Sequence, residues 1–268
     1  MPSQQDQHVP PELARPVIYH PGPSEHPAID RAEVLRYLGY TGQEMEPELS
    51  LRIEGVIAGL ERSIAPRGVR QVFAVDATGL DSEGLPCIRL AGTAVELTGR
   101  DIFRHLKDAS YCALLACTLG MDAERELRTL GSQQPLESAV YDAACSAYVE
   151  AAVGEMDADV KARAAALGLQ GNWRFSCGYG DCPLDVQPTI LAALNATRLI
   201  GLTVTTTNLM LPSKSVTAMI GLFEGEPRSA SSVRDCRYCR VRQGCAFRRR
   251  GTTCYGAPVR KEGEDKDE

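Results

Sequence analysis

The stretch Arg174–Phe175–Ser176–Cys177–Gly178–Tyr179–Gly180–Asp181–Cys182–Pro183–Leu184–Asp185 reads as the joint between a strand and a helix. Asn172 to Phe175 has the composition of a short strand. Val186 to Asn195 has that of a helix, with Asp185 as its N-cap and Pro188 in its first turn. Between them Gly178 and Gly180 flank a tyrosine, so the backbone can turn sharply or come close to a ligand. Arg174 supplies a cation at the strand end, and Asp181 a carboxylate two residues past Tyr179. This set suits a small zwitterion with an aromatic part; it equally suits a plain strand-to-helix turn with a surface Arg.

Upstream, an Ala-rich helix is expected from about Leu136 to Leu167, with Val140, Ala144, Tyr148 and Val153 on its inner faces. Its small residues allow close packing on a sheet or another helix. Before it, shorter helices are predicted over Arg31–Tyr40, Glu48–Ile64, Arg100–Lys107 and Met121–Thr129. Strands are predicted at Gln71–Val75, Pro86–Leu90, Ala94–Leu97 and Tyr111–Cys117, then at Leu202–Thr207 and Val216–Leu222. Helices and strands alternate irregularly, and no Gly-rich dinucleotide fingerprint occurs. The expected class is α+β, with a mixed or largely antiparallel sheet and long helices.

The chain of 268 residues is long enough for one large domain with a small appendage. Its 44% hydrophobic and 24% charged content is that of a soluble globular protein, and a formal charge of −6 selects no partner class. No apolar run approaches the roughly 20 residues of a membrane span. The polar, Pro-containing start lacks the basic and apolar regions of a signal peptide, so a cytoplasmic location is expected. Residues 1–28 are expected to form a flexible leader, 29–228 the body, 229–258 a Cys- and Arg-rich lobe, and 259–268 a charged, disordered tail.

The segment from Arg174 to Asp185, Ile200–Gly201–Leu202, and Leu211–Pro212–Ser213–Lys214–Ser215–Val216–Thr217–Ala218 together resemble the activation domain of vitamin B12-dependent methionine synthase, in its free-standing form. The resemblance spans roughly residues 30 to 225. It implies a curved α+β body with S-adenosylmethionine on one face, held by Arg174, Ser176, Gly178 and Tyr179. It suggests Glu150, in the long helix, as the carboxylate for the ligand ammonium or ribose, and it places Lys214 by the same face. From the residues alone Glu150 is an exposed helix charge and Lys214 a solvated loop lysine. Asp181 is a second carboxylate candidate by its nearness in sequence. At the position after Ser176 the family usually has proline. Cys177 stands there in this chain, which changes the stiffness of the loop and sets a thiol beside the expected ligand.

The chemistry of such a site is physically coherent. An Arg fork pairs with a carboxylate through two hydrogen bonds, and a tyrosine ring can stack on adenine or face a sulfonium. The chain shows no Gly-x-Ser-x-Gly, no phosphate loop and no nucleophile–base pair, and three of its four histidines fall in the leader. That agrees with the implied role, in which cofactors carry the difficult steps. The resemblance implies that cobalamin on a partner protein is reduced by an electron donor and remethylated from S-adenosylmethionine. The partner would be a cobalamin-dependent methionine synthase that lacks its own activation domain, or a related corrinoid protein.

Ten cysteines divide into six scattered ones and a cluster, Cys236-x2-Cys239-x5-Cys245-x8-Cys254. In a reducing compartment the scattered ones are expected as small buried hydrophobes. Four thiolates in so short a span suit a metal site, and the spacing admits zinc or a [4Fe-4S] cluster. Arg234, Arg237, Arg240, Arg242, Arg248, Arg249 and Arg250 surround the cluster against Asp235 alone. This module reads as a basic dock for an acidic electron carrier such as flavodoxin or ferredoxin, as a nucleic-acid grip, or as a solvated basic face. The acidic tail beyond it argues against nucleic acid. Three functions follow: support of methionine synthase reactivation, a metal-binding adaptor, or activation of another corrinoid methyltransferase.

Overall fold

A computed structural model describes residues 8–40 and 42–225, together with Cys236, residues 242–249, Gly251 and Thr253. The chain divides into two units, Met1–Ser232 and Val233–Glu268. The first unit opens with α1 (Pro11–Ala14), β1 (Val17–Tyr19), α2 (Arg31–Tyr37) and α3 (Pro47–Ser63). It continues through β2 (Arg67–Asp76), β3 (Ile88–Leu90), β4 (Glu96–Leu97), α4 (Arg100–Leu106), β5 (Tyr111–Thr118), α5 (Gly120–Gln133) and α6 (Pro135–Ala165). Then come β6 (Leu169–Gly171), α7 (Gln187–Ala193), α8 (Ala196–Ile200), β7 (Thr203–Val204), β8 (Met210–Leu211) and β9 (Ser215–Glu224). In the second unit the described residues include a 3-10 turn at Arg242–Gly244 and a helical turn at Ala246–Arg249.

Seven strands form one sheet in the order β4-β3-β2-β5-β9-β6, with β1 added on β2. Every pairing is antiparallel. β5 has long partners on both sides, Arg67↔Thr118 to Ala74↔Tyr111 and Tyr111↔Leu222 to Thr118↔Ser215, and is buried at every position. Because side chains alternate across a strand, Ala113, Leu115 and Cys117 enter one core while Cys112, Leu114 and Ala116 enter another. The class is α+β with a mostly antiparallel sheet, as the sequence pattern predicts.

The first core is capped by α2, α3 and α6. The inner faces expected of the long helix are the ones buried: Val140, Ala144, Tyr148 and Val153 all lie in this core. The fully buried Tyr148 donates its hydroxyl to the carbonyl of Ile64 at 3.1 Å, so the phenol spans the core without an unmet polar group. The second core lies on the other side of the sheet and gathers Leu97, Ile102, Leu106, Phe175, Cys177, Cys182, Ile190 and Ile200. The apolar side chains after β6, Phe175, Cys177 and Cys182, therefore enter the side opposite α6.

Several local expectations change. Asn172–Phe175 is not a regular strand: pairing passes from Gly171↔Leu222 to an isolated bridge at Phe175↔Met219, a shift of one residue. Asn172 fills the break by accepting the Gly221 N–H on its side-chain oxygen at 2.8 Å, as a bulge residue replaces a lost ladder bond. Asp185 is not an N-cap. It lies inside a 3-10 turn, Leu184–Val186, and Val186 precedes α7 without a side-chain cap, although Pro188 does sit in the first turn. Within residues 8–28, where a loose leader is expected, Leu13 is fully buried and β1 pairs with β2 at Val17↔Arg70. No helix among the described residues is long and apolar enough to cross a membrane.

Candidate functional site

The bulge after β6 sets the site. The Phe175 N–H and C=O bond to Met219 at 2.9 and 2.7 Å, which seats the Phe175 ring in the second core. By alternation its neighbours Arg174 and Ser176 turn toward the α6 side. The chain then folds back on itself. The Gly178 N–H donates to Cys182 C=O at 2.9 Å, Tyr179 N–H to Ser176 C=O at 3.3 Å, and Cys182 N–H to Tyr179 C=O at 3.1 Å. Gly178 takes φ +85°, which side-chain-bearing residues rarely adopt, and Tyr179 stands 57% exposed at the tip.

Asp181 anchors this loop. Its two carboxylate oxygens accept the backbone N–H groups of Arg100 and Asp101, both at 2.9 Å. These are orphan donors at the start of α4, so Asp181 caps that helix from eighty residues away in sequence. Asp181, a candidate carboxylate for the ligand ammonium or ribose, thus also holds the start of α4. Gly180 allows the close approach, since a Cβ there would overlap the Asp101 carboxylate.

Helix α6 offers a polar stripe to the loop. Asp142, Ser146, Glu150, Asp157 and Lys161 recur at spacings of four, four, seven and four, one face of a helix. Arg174 reaches Glu150 at 3.3 Å and Asp157 at 4.0 Å, with its own side chain 18% exposed and that of Glu150 46% exposed. Lys161 also holds Asp157, at 2.9 Å. Tyr37, at the end of α2, belongs to the same region. Burial raises its hydroxyl pKa, and the negative charge of Glu150 adds to that.

Lys214 sits further along the stripe. Its ammonium contacts the Asp142 carboxylate at 2.8 Å, Ser146 Oγ at 2.9 Å and the Asp142 carbonyl at 3.1 Å. The neighbouring Ser213 gives both its hydroxyl (2.6 Å) and its N–H (3.0 Å) to Glu124 on α5. The Ser213 hydroxyl is the largest cause holding Glu124 below the usual carboxylate range. Lys214 is thus built into α6 by three oxygens, where the sequence reading left a choice between a solvated lysine and a ligand contact.

Of the residues expected at the site, Arg174 and Glu150 meet directly, and Ser176, Gly178 and Tyr179 share the loop beside them. Tyr37 was missed. It lies far upstream, and its only sequence signal is an aromatic residue at the end of a short helix. Among the cluster cysteines, Cys236 and Cys245 are half-buried free thiols, whereas Cys239 and Cys254 lie outside the described residues. No group of three or more His, Cys, Asp or Glu placed to hold a metal occurs among the described residues. In the second unit Arg242, Gln243, Cys245, Arg248 and Arg249 line a cavity of about 480 Å³.

No protein-family model matches the sequence, and no curated protein matches it. Solved structures do match. One is a crystal structure of the MetH reactivation domain bound to AdoHcy, aligned over 94% of this chain and 91% of that one, with a TM-score of 0.59 and 15% sequence identity. The chain shares the reactivation-domain fold, the fold that the Arg174–Asp185 segment points to.

Proposed function

We propose that this chain binds S-adenosylmethionine and supports the reductive remethylation of cobalamin on a partner methionine synthase that lacks its own activation domain. The observation that carries the reading is the Arg174–Glu150 pair, 3.3 Å apart between the loop and α6. A free amino-acid moiety carries the complementary charges, a carboxylate for the guanidinium and an ammonium for Glu150. Inserted between them, it exchanges one charge pair for two. The exposed Tyr179 ring and the backbone around Ser176 and Gly178 complete a cradle for the adenosyl part. The fold shared with a reactivation domain whose structure holds AdoHcy supports the same ligand class.

On this reading S-adenosylmethionine supplies an electrophilic methyl group, while the corrinoid belongs to the partner. The chain itself binds, orients and docks, and needs no acid–base residue. Asp181 and Lys214 hold the loops that form the site. The reading also places the protein in a reducing compartment such as the cytosol, which suits the eight free cysteines among the described residues.

Calorimetric titration with S-adenosylmethionine tests this. The intact chain should bind, and Arg174→Ala should bind at least about thirtyfold more weakly, the effect of losing roughly 2 kcal/mol from a half-buried charge contact. Equal binding by both proteins sinks the assignment of Arg174. No binding by folded protein, either alone or with a cobalamin-dependent methionine synthase lacking the domain, sinks the function.

A further inference from the structure

Two thiols bracket the tip of the loop. Cys177 and Cys182 are 7% and 2% exposed and lie in the same apolar core. The bonds from Gly178 N–H to Cys182 C=O (2.9 Å) and from Cys182 N–H to Tyr179 C=O (3.1 Å) fold the chain so that the two residues adjoin. Each thiol feels the other: the Cys177 thiol is the first cause that raises the Cys182 pKa. Cys112 and Cys117, equally close in sequence, point into opposite cores and cannot meet.

We propose that Cys177 and Cys182 are a reversible disulfide site that contracts the ligand loop, with a low-molecular-weight disulfide of the glutathione type as oxidant. Its effect on the ligand rests on the S-adenosylmethionine reading; the bond itself does not. Cys177 is the less buried of the two thiols and meets the oxidant first; its neighbouring thiol and burial raise the Cys182 pKa, so Cys182 follows. The Cys177 thiolate attacks one sulfur of the oxidant, whose S–S bond breaks and releases one thiolate. Cys182 then gives up its proton and attacks the Cys177 sulfur, forming the intrachain bond and releasing the second thiolate. Two cysteine thiols are oxidised, and one disulfide is reduced to two thiols.

The bond matters because of what it moves. A disulfide holds two sulfurs at about 2.05 Å, well inside the contact distance of two unbonded thiols. Asp181 is fixed to α4 and Phe175 to β9, so the contraction falls on Ser176 to Gly180. Those are the residues proposed to cradle the adenosyl part, and a misplacement on the order of 1 Å is costly in a fitted site.

The full chain is incubated with oxidised glutathione or with dithiothreitol, alkylated and digested with trypsin. Phe175–Arg198 contains both cysteines and no internal Lys or Arg, so one peptide reports the bond. After oxidation it should be two hydrogens lighter and refuse alkylation; doubly alkylated peptide overturns the proposal. S-adenosylmethionine affinity should fall at least about tenfold on oxidation and return with dithiothreitol. Cys182→Ala should not respond, and Cys177→Ser serves if that variant does not fold. An equal response in the variant overturns the contraction. Bond formation on oxidation of a protein that, when reduced, binds no donor either alone or with the partner rejects the function above and supports the disulfide.

Discussion

Arg174 and Lys214 meet the same helix from different loops, each facing a carboxylate on its polar stripe. Glu150 and Asp142 lie eight residues, about 12 Å, apart along α6. The two cations are similarly sheltered, at 18% and 14% side-chain exposure. Their contacts differ. Lys214 touches three oxygens between 2.8 and 3.1 Å, and its neighbour Ser213 is tied to Glu124. Arg174 keeps its two carboxylates at 3.3 and 4.0 Å. A tight, multiply bonded cation fastens a loop. On the proposed function, the longer Arg–Glu pair beside a Gly-rich turn is the one that exchanges partners with a zwitterion. Two cations on one stripe therefore differ in how closely they are held, and the proposed function assigns the ligand to the longer pair.

The sharpest way to break this contrast is the pair itself. Arg174→Ala should cost at least about thirtyfold in S-adenosylmethionine affinity and Glu150→Gln about tenfold. The double variant should lose less than the product of the two, since both act on one ligand moiety. Thermal midpoints should stay within about 2 °C of the parent, because Glu150 is open to solvent on one side and a single ion pair to it adds little stability. Fully additive losses would place the two residues on separate parts of the ligand.

Lys214→Met should do the opposite. Removing three short contacts at a sheltered site costs about 1–2 kcal/mol, or roughly 2–8 °C in a unit of this size. Affinity should remain within about threefold of the parent. If affinity collapses while the melting temperature holds, Lys214 touches the ligand and the contrast fails.

How much of this the sequence carries depends on the range of the interaction. The inner faces of α6 follow from helical periodicity, and the turn at Ser176–Cys182 from its local run of Gly residues; both are legible in consecutive residues. The role of Asp181 is not, because the amide groups it caps lie at Arg100 and Asp101. Asn172 reads as part of a strand because its side chain imitates the ladder it interrupts. Tyr37 reaches Glu150 only through the packing of α2 on α6, and the burial of Leu13 needs the finished first core. Sequence shows which residues can do the chemistry; the tertiary contacts show which are already engaged.

The smallest effect tests how the Lys214 loop is fastened. Glu124 is depressed below the usual carboxylate range chiefly by the Ser213 hydroxyl, with the Ser213 N–H also lowering it and burial opposing. A carboxylate whose folded pKa is lowered contributes stability that is fully present above its unfolded value, about 4.3 for Glu. That contribution is lost as pH falls through the folded value. Ser213→Ala removes the larger lowering contact. Its stability deficit relative to the parent should therefore be greatest near neutral pH and shrink on acidification below about 4.3. Denaturant midpoints measured from pH 7 down to about pH 3 follow this directly. A deficit that stays constant with pH would mean that the hydroxyl matters through packing or its neutral hydrogen bond rather than through the charge on Glu124. The loop would then owe its position to Lys214 alone, and the Lys214→Met shift should grow to match.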